Sequence, residues 1–128
     1  MLADAPIHAY IPAIDIERCR RFYADTLGLD VVGATGPGYT FRCGADTTFF
    51  MYPTPNAGTN QASCAFWQVD DVEAVVKWLQ ARGVAFERYA MPGDTGGNLI
   101  HVGGGAKAAW FKDSEGNIMA LVEAMADG

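Results

Sequence analysis

The strongest constraint on this 128-residue chain is that it contains one pattern twice. Asp15-Ile16-Glu17 returns as Asp71-Val72-Glu73, an offset of 56 residues, and the same offset sets Phe22 against Trp78 and His8 against Cys64. Each copy reads as a strand, a helix and three further strands. In the first copy, residues 7–11 alternate, with Ile7, Ala9 and Ile11 on one face and His8 and Tyr10 on the other. Asp15 is a helix N-cap, Ile16, Cys19, Phe22 or Tyr23, and Leu27 recur at helical spacing, and Gly28 closes the helix. Strands follow near 30–34, 39–43 and 47–52. The second copy runs through a strand at 62–69, then Asp70 as N-cap with Glu73 completing a capping box, and an apolar stripe of Val72, Val75, Val76 and Leu79. Strands at 84–89, 108–112 and 118–123 complete it, with a short apolar piece at 99–102 inside a Gly-rich stretch. Neither copy is large enough to bury both faces of its sheet, so the two must pack together. The expected organisation is one domain over 1–128, with a first module at about 6–54, a linker at 55–61 and a second module at about 62–125.

Composition narrows the partners. Half the residues are hydrophobic and 19% charged, enough apolar surface to offset the entropy of ordering. Nine Lys and Arg against fifteen Asp and Glu give a net charge of −6, the wrong sign for nucleic acid and a better match to neutral or cationic small molecules. The apolar runs are strand-length, far short of the ~20 residues of a membrane span, and the N-terminus lacks the pattern of a signal peptide. Cys19, Cys43 and Cys64 are odd in number and widely spaced, which speaks against a disulfide framework or a structural zinc site. A cytoplasmic location is expected. The glycines at 93, 96, 97 and 103–105 do not make a phosphate loop, because Gly105-Ala106-Lys107 runs into a strand; turns and a lid suit them better.

In this order and spacing, the chain resembles the vicinal oxygen chelate superfamily, which includes glyoxalase I, extradiol dioxygenases, fosfomycin-resistance enzymes and bleomycin-resistance proteins. The resemblance rests on Ile14-Asp15 leading into Arg21-Phe22-Tyr23 and Leu27-Gly28-Leu29, and on Val69-Asp70-Asp71-Val72. It is strongest at residues 109–117, Ala-Trp-Phe-Lys-Asp-Ser-Glu-Gly-Asn, which is similar to the family's F-x-D-P-D-G-N hairpin. It covers roughly residues 6 to 125. The fold it implies is α+β: two βαβββ modules forming cupped mixed sheets, in a homodimer.

The resemblance also implies a metal inside the cup, with four ligand positions that fall here on His8, Met51 (within one residue), Cys64 and Ala120. Only His8 suits the imidazole and carboxylate ligands of glyoxalase or dioxygenase chemistry, and Ala120 binds nothing. No metal and no other cofactor is therefore expected. His8, Met51 and Cys64 form a soft set that could suit copper(I), but a lapsed family site explains them equally. His8 and Cys64 are the catalytic candidates, as an imidazole–thiol pair or with His8 as general base, against the plainer readings of a core histidine and a small buried thiol. Tyr10, Phe49 and Phe66 share faces with His8, Met51 and Cys64 by alternation, and Trp110 and His101 join them as candidate cavity lining. The expected function is metal-independent binding or sequestration of an aromatic or cationic small molecule. The alternatives are a metal-free isomerase or lyase acting on a carbonyl compound, and a metalloenzyme with a non-standard ligand set.

Overall fold

The computed structural model describes residues 1–88 and 99–124. The first sheet is built from β1 (Ala9–Ala13), β2 (Asp30–Thr35), β3 (Gly38–Arg42) and β4 (Thr48–Pro53) in the order β1-β4-β3-β2. The second contains β5 (Ala65–Gln68), β6 (Phe86–Glu87), β8 (Ala106–Lys112) and β9 (Ile118–Ala124) in the order β5-β9-β8-β6, with β7 (His101–Gly103) also paired to β8. In each sheet the first strand lies parallel to the last and the rest are antiparallel, so the α+β repeat expected from the sequence is present. The crossovers carry α1 (Ile16–Arg21) and α2 (Val72–Ala81). Expected strand 84–89 extends beyond the described residues at Tyr89, and Gly93, Gly96 and Gly97 lie outside them.

Local sequence explains the element ends. Asp15 caps α1 by accepting the Arg18 amide at 3.1 Å. In α2 the cap is Asp71, not Asp70, since the Asp71 carboxylate accepts the Ala74 amide at 3.1 Å. Ala74 thus occupies the third helical position and no capping box forms. Residues Phe22–Thr26 continue α1 as a π-helical turn, with the Leu27 amide reaching back to the Phe22 carbonyl. That turn settles an ambiguity of the periodicity: Tyr23, not Phe22, is fully buried, in line with Cys19 and Leu27. β1 starts two residues later than its alternation suggested, but the alternation itself holds, burying Ile11 and Ala13 and exposing Tyr10. Gly104 and Gly105, both at positive φ, make the two-residue hairpin between β7 and β8.

The helix-facing sides of both sheets share one core. Tyr23 sits in it with ring centroids 5.3 Å from Phe49, 6.1 Å from Phe41 and 6.5 Å from Trp67, thereby touching both sheets. Trp67 in turn stacks on Phe111 and donates its indole N–H to Cys43 Sγ in the first module.

The Tyr23 hydroxyl leaves this core and donates to Asp113 Oδ2 at 2.7 Å, entering a buried polar clamp. Asp113 Oδ1 accepts the backbone amides of Glu115 and Asn117, and Asn117 Nδ2 donates both to Asp113 and to the Pro12 carbonyl. Glu115 takes both Arg18 Nε and Nη2 in a forked pair and also accepts the Asp15 amide. The linker closes the other side: the Gly58 amide donates to Asn117 Oδ1, and a Cβ on Gly58 would lie 2.4 Å from the Glu115 carbonyl oxygen. The hairpin that carried the strongest family resemblance therefore fastens the second module to β1, α1 and the linker.

The clamp gives an acid-stability signature. Burial by itself would push the Glu115 carboxyl up, but Arg18, the Asp15 amide and the Ser114 hydroxyl together hold it down to about 2, against 4.5 for a free glutamate. Because the folded value is depressed, this stability is complete above pH ~4.5 and is lost as pH falls toward 2. Replacing Glu115 by Gln is expected to cost about 2 kcal/mol at pH 7, tempered by the half-exposed Arg18. It should also flatten the fall in stability across that window, as measured by urea unfolding at a series of pH values. A Gly58→Ala chain should lose more than the ~1 kcal/mol typical of an exposed loop glycine, since it meets both the positive φ of 76° and the Glu115 carbonyl. The same unfolding assay reads it.

Candidate functional site

With the inner faces of the sheets committed to the core, no described helix packs on their opposite faces. On the first sheet, register fixes the membership of that face: Tyr10 lies beside Phe50, Pro12 beside Tyr52, and Phe50 beside Thr40. Tyr10 is 63% exposed, with its ring 4.3 Å from Tyr52 and 5.7 Å from Phe50. His8, just ahead of β1, shares a 2.5 Å hydrogen bond between its Nδ1 and the hydroxyl of Thr48. His8, Tyr10, Thr40, Thr48 and Phe50 border a hollow of about 570 Å³, within the range of ~300–1,000 Å³ usual for small-molecule sites.

The same register moves two expected lining residues. Phe49 pairs with Ala9, and Met51 with Ile11, so their side chains take the core face. Met51 is fully buried, while Phe49 is buried against Tyr23 and stacked on Phe41 and only borders the hollow. The run Thr48-Phe49-Phe50-Met51-Tyr52 is apolar on both faces, so alternation alone does not reveal which set points inward. Phe50 and Tyr52, which were not anticipated, hold the positions assigned to Phe49 and Met51. The register of β4 against β1 was the missing signal.

On the second sheet, Phe66, Ala120 and Trp110 form one row across β5, β9 and β8. Phe66 is 63% exposed, and Ala120 places a single methyl between two rings. His101 is buried at the start of β7, with its ring 5.2 Å from that of Trp110. Trp110 and His101 therefore do meet on this face. The alternation of β5 also holds, with Trp67 on the core side and Phe66 on the open side.

Cys64 precedes β5 and borders a cleft of about 240 Å³ that it shares with Tyr10 and Tyr52. A second cleft, about 180 Å³, brings Phe49 together with Phe66. The expected lining is thus spread over neighbouring hollows where β1 and β5, the edge strands of the two sheets, approach. The imidazole–thiol pair is not formed: His8 turns to Thr48, whereas Cys64 Sγ donates to Met119 Sδ at 3.4 Å. Burial, then the charge of Asp113, pushes the Cys64 thiol up, away from the thiolate that nucleophilic chemistry needs.

The donor set does not suit a family-type metal centre. Of the positions implied, His8 offers a nitrogen, Cys64 a protonated thiol, and Ala120 nothing; Met51 is buried on the far face of its sheet. Among the described residues no group of three or more His, Cys, Asp or Glu side chains is arranged to hold a metal ion. Asp113 and Glu115, the most buried carboxylates near the sheets, are consumed by the clamp. Nor is any described helix long and apolar enough to cross a membrane.

Comparison with known proteins agrees with this architecture. A search of curated proteins gave no match. Among solved structures, TnmS3, an antibiotic binding protein from Streptomyces sp. CB03234, superposes with a TM-score of 0.71 at 24% identity, covering 94% of this chain and 98% of that one. A lactoylglutathione lyase from Agrobacterium tumefaciens gives 0.66 at 19% identity, covering 94% and 93%. The fosfomycin resistance protein FosX from Listeria monocytogenes gives 0.69 at 14% identity, covering 97% and 92%. At these identities the likeness is one of fold. The sequence profile of one family matches residues 6–121, and with the paired βαβββ sheets it places the chain in the Glyoxalase/Bleomycin resistance protein/Dioxygenase superfamily.

Proposed function

We propose that this protein binds and sequesters a planar aromatic small molecule on its open sheet faces, without a metal, as a homodimer in the cytoplasm. The observation that carries the reading is the exposed ring of Tyr10, braced by Tyr52 and Phe50 at the edge of the 570 Å³ hollow. A ring held by two neighbours loses little freedom on binding and offers a flat apolar surface for stacking. Phe66 and Trp110 provide a second such surface on the other sheet, with Ala120 as the low point between them. Thr40 and the linked His8–Thr48 pair add hydrogen-bonding groups that can orient a ligand. The net charge of −6 favours a cationic ligand over an anionic one. TnmS3, whose fold is similar, is an antibiotic binding protein, which is compatible with a binding role, while the similarly folded lactoylglutathione lyase shows that the fold alone does not choose between binding and catalysis. A homodimer is the assembly that the family resemblance implies.

A panel of planar aromatic compounds, neutral, cationic and anionic, titrated by calorimetry in the presence of EDTA, tests this. Binding by neutral or cationic members is expected. Tyr10→Ala should weaken the best of them about tenfold, the loss of roughly 1.4 kcal/mol of ring contact. A panel without a binder, or affinity indifferent to both Tyr10→Ala and Trp110→Ala, would sink the proposal. Sedimentation velocity should give twice the monomer mass, and a protein that stays monomeric at tens of micromolar would remove the homodimer from it.

A further inference from the structure

A further hollow lies on the helix-facing side of the sheets, between the modules, and no role assigned above uses it. It measures about 180 Å³ and is walled by Leu27 and Leu29 from the first module and by Val75 and Trp78 of α2, over a floor of Phe111 and Leu121. We infer that this hollow is a separate binding site for a neutral single-ring aromatic molecule, with its ring among the aliphatic walls.

Three features support the assignment. The first is size and chemistry together. An apolar cavity of ~150 Å³ is dry and accepts benzene, because water there lacks the two to four polar partners it needs. The present hollow is open to solvent on one side rather than enclosed, but its walls are mainly apolar, so a ring gains contacts there that water does not.

The second feature is the construction of the rim. Trp78 is 48% exposed, and the guanidinium of Arg82 lies 4.8 Å above its ring. Arg82 is itself fixed, donating through Nε to the Thr26 carbonyl at 2.6 Å and through Nη2 to the Asp25 carbonyl. A large exposed aromatic held by a cation that is tied to the opposite module is a fixed wall. The hollow therefore has little means of closing by side-chain collapse.

The third feature is the route of the backbone. Gly28 passes the Trp78 ring at positive φ, and a Cβ there would sit 3.6 Å from the ring edge. Leu27 and Leu29, on either side of Gly28 in the chain, both line the hollow. A bound ring would touch both modules at once, so occupancy should raise the thermal midpoint of unfolding.

The test uses 4-bromophenol, whose heavy atom quenches tryptophan emission, with Trp110→Phe protein so that the emission comes from Trp67 and Trp78 at the hollow. Saturable quenching at one site per chain is expected, together with a rise in thermal midpoint. Filling the hollow by Val75→Phe or, from the opposite wall, by Leu29→Phe should weaken that binding at least tenfold. The variant that keeps the parental unfolding midpoint in the absence of probe decides. Quenching that rises linearly without saturation would overturn the inference. So would saturable binding that survives in the folded filling variant. Trp67 borders both this hollow and the cleft between Phe49 and Phe66, so loss of binding in the filling variants, not quenching alone, assigns the site; Tyr10 lines neither, and Tyr10→Ala should leave the result unchanged.

Discussion

The buried Asp113 carboxylate is the point on which the two halves of the chain depend. It is held by the Tyr23 hydroxyl, two backbone amides and Asn117. Burial nonetheless pushes its pKa up, so the hydrogen bonds only partly offset the cost of removing the group from water. That cost is sustained because each ligand of Asp113 serves a second purpose. Tyr23 carries the ring that joins both sheets, and Asn117 also binds the Pro12 carbonyl and the Gly58 amide. Glu115, two residues on, captures Arg18 and the start of α1. One tight hairpin thus fixes the second sheet relative to the first strand, first helix and linker.

Functional geometry follows from that arrangement. Once the helix-facing sides of both sheets share a core, the aromatic rows of the other sides must face outward. Tyr10, Phe50 and Tyr52 then stand on one sheet and Phe66 and Trp110 on the other. The Asp113 and Glu115 carboxylates are spent on fastening the modules. Where the family resemblance implies a ligating or proton-moving carboxylate, Ala120 leaves a shallow slot between two rings. Stacking and exclusion of water are what such a surface does well; Lewis-acid chemistry would need donors placed elsewhere.

Much of this was legible in the sequence, for identifiable reasons. Element order was readable because glycine and aspartate punctuate it: Asp15, Gly28 and Gly83 sit at element ends and Gly104-Gly105 makes a turn, although the second cap falls on Asp71, one residue after the Asp70 expected. The face of β1 and that of β5 were readable because one side of each is distinctly smaller or more polar than the other. β4 was not, since Phe49, Phe50, Met51 and Tyr52 offer no contrast between faces and only pairing with β1 decides. The choice between Phe22 and Tyr23 was closed for a similar reason, because a π-helical turn changes the spacing locally. The hairpin at residues 109–117 was recognisable as a motif, but its partners lie about 60 to 105 positions away along the chain. Its work as a clamp is a tertiary fact.

The central claim is that this member of the superfamily uses aromatic surface where relatives of the resemblance use a metal. The most direct measurement is the metal content of purified, untagged protein after equilibrium dialysis against zinc, nickel, manganese, iron and copper, beside a His8→Ala variant. The account predicts no stoichiometric metal that depends on His8. One metal per chain in the parent protein, lost in His8→Ala, would contradict it and make the open face a metalloenzyme site.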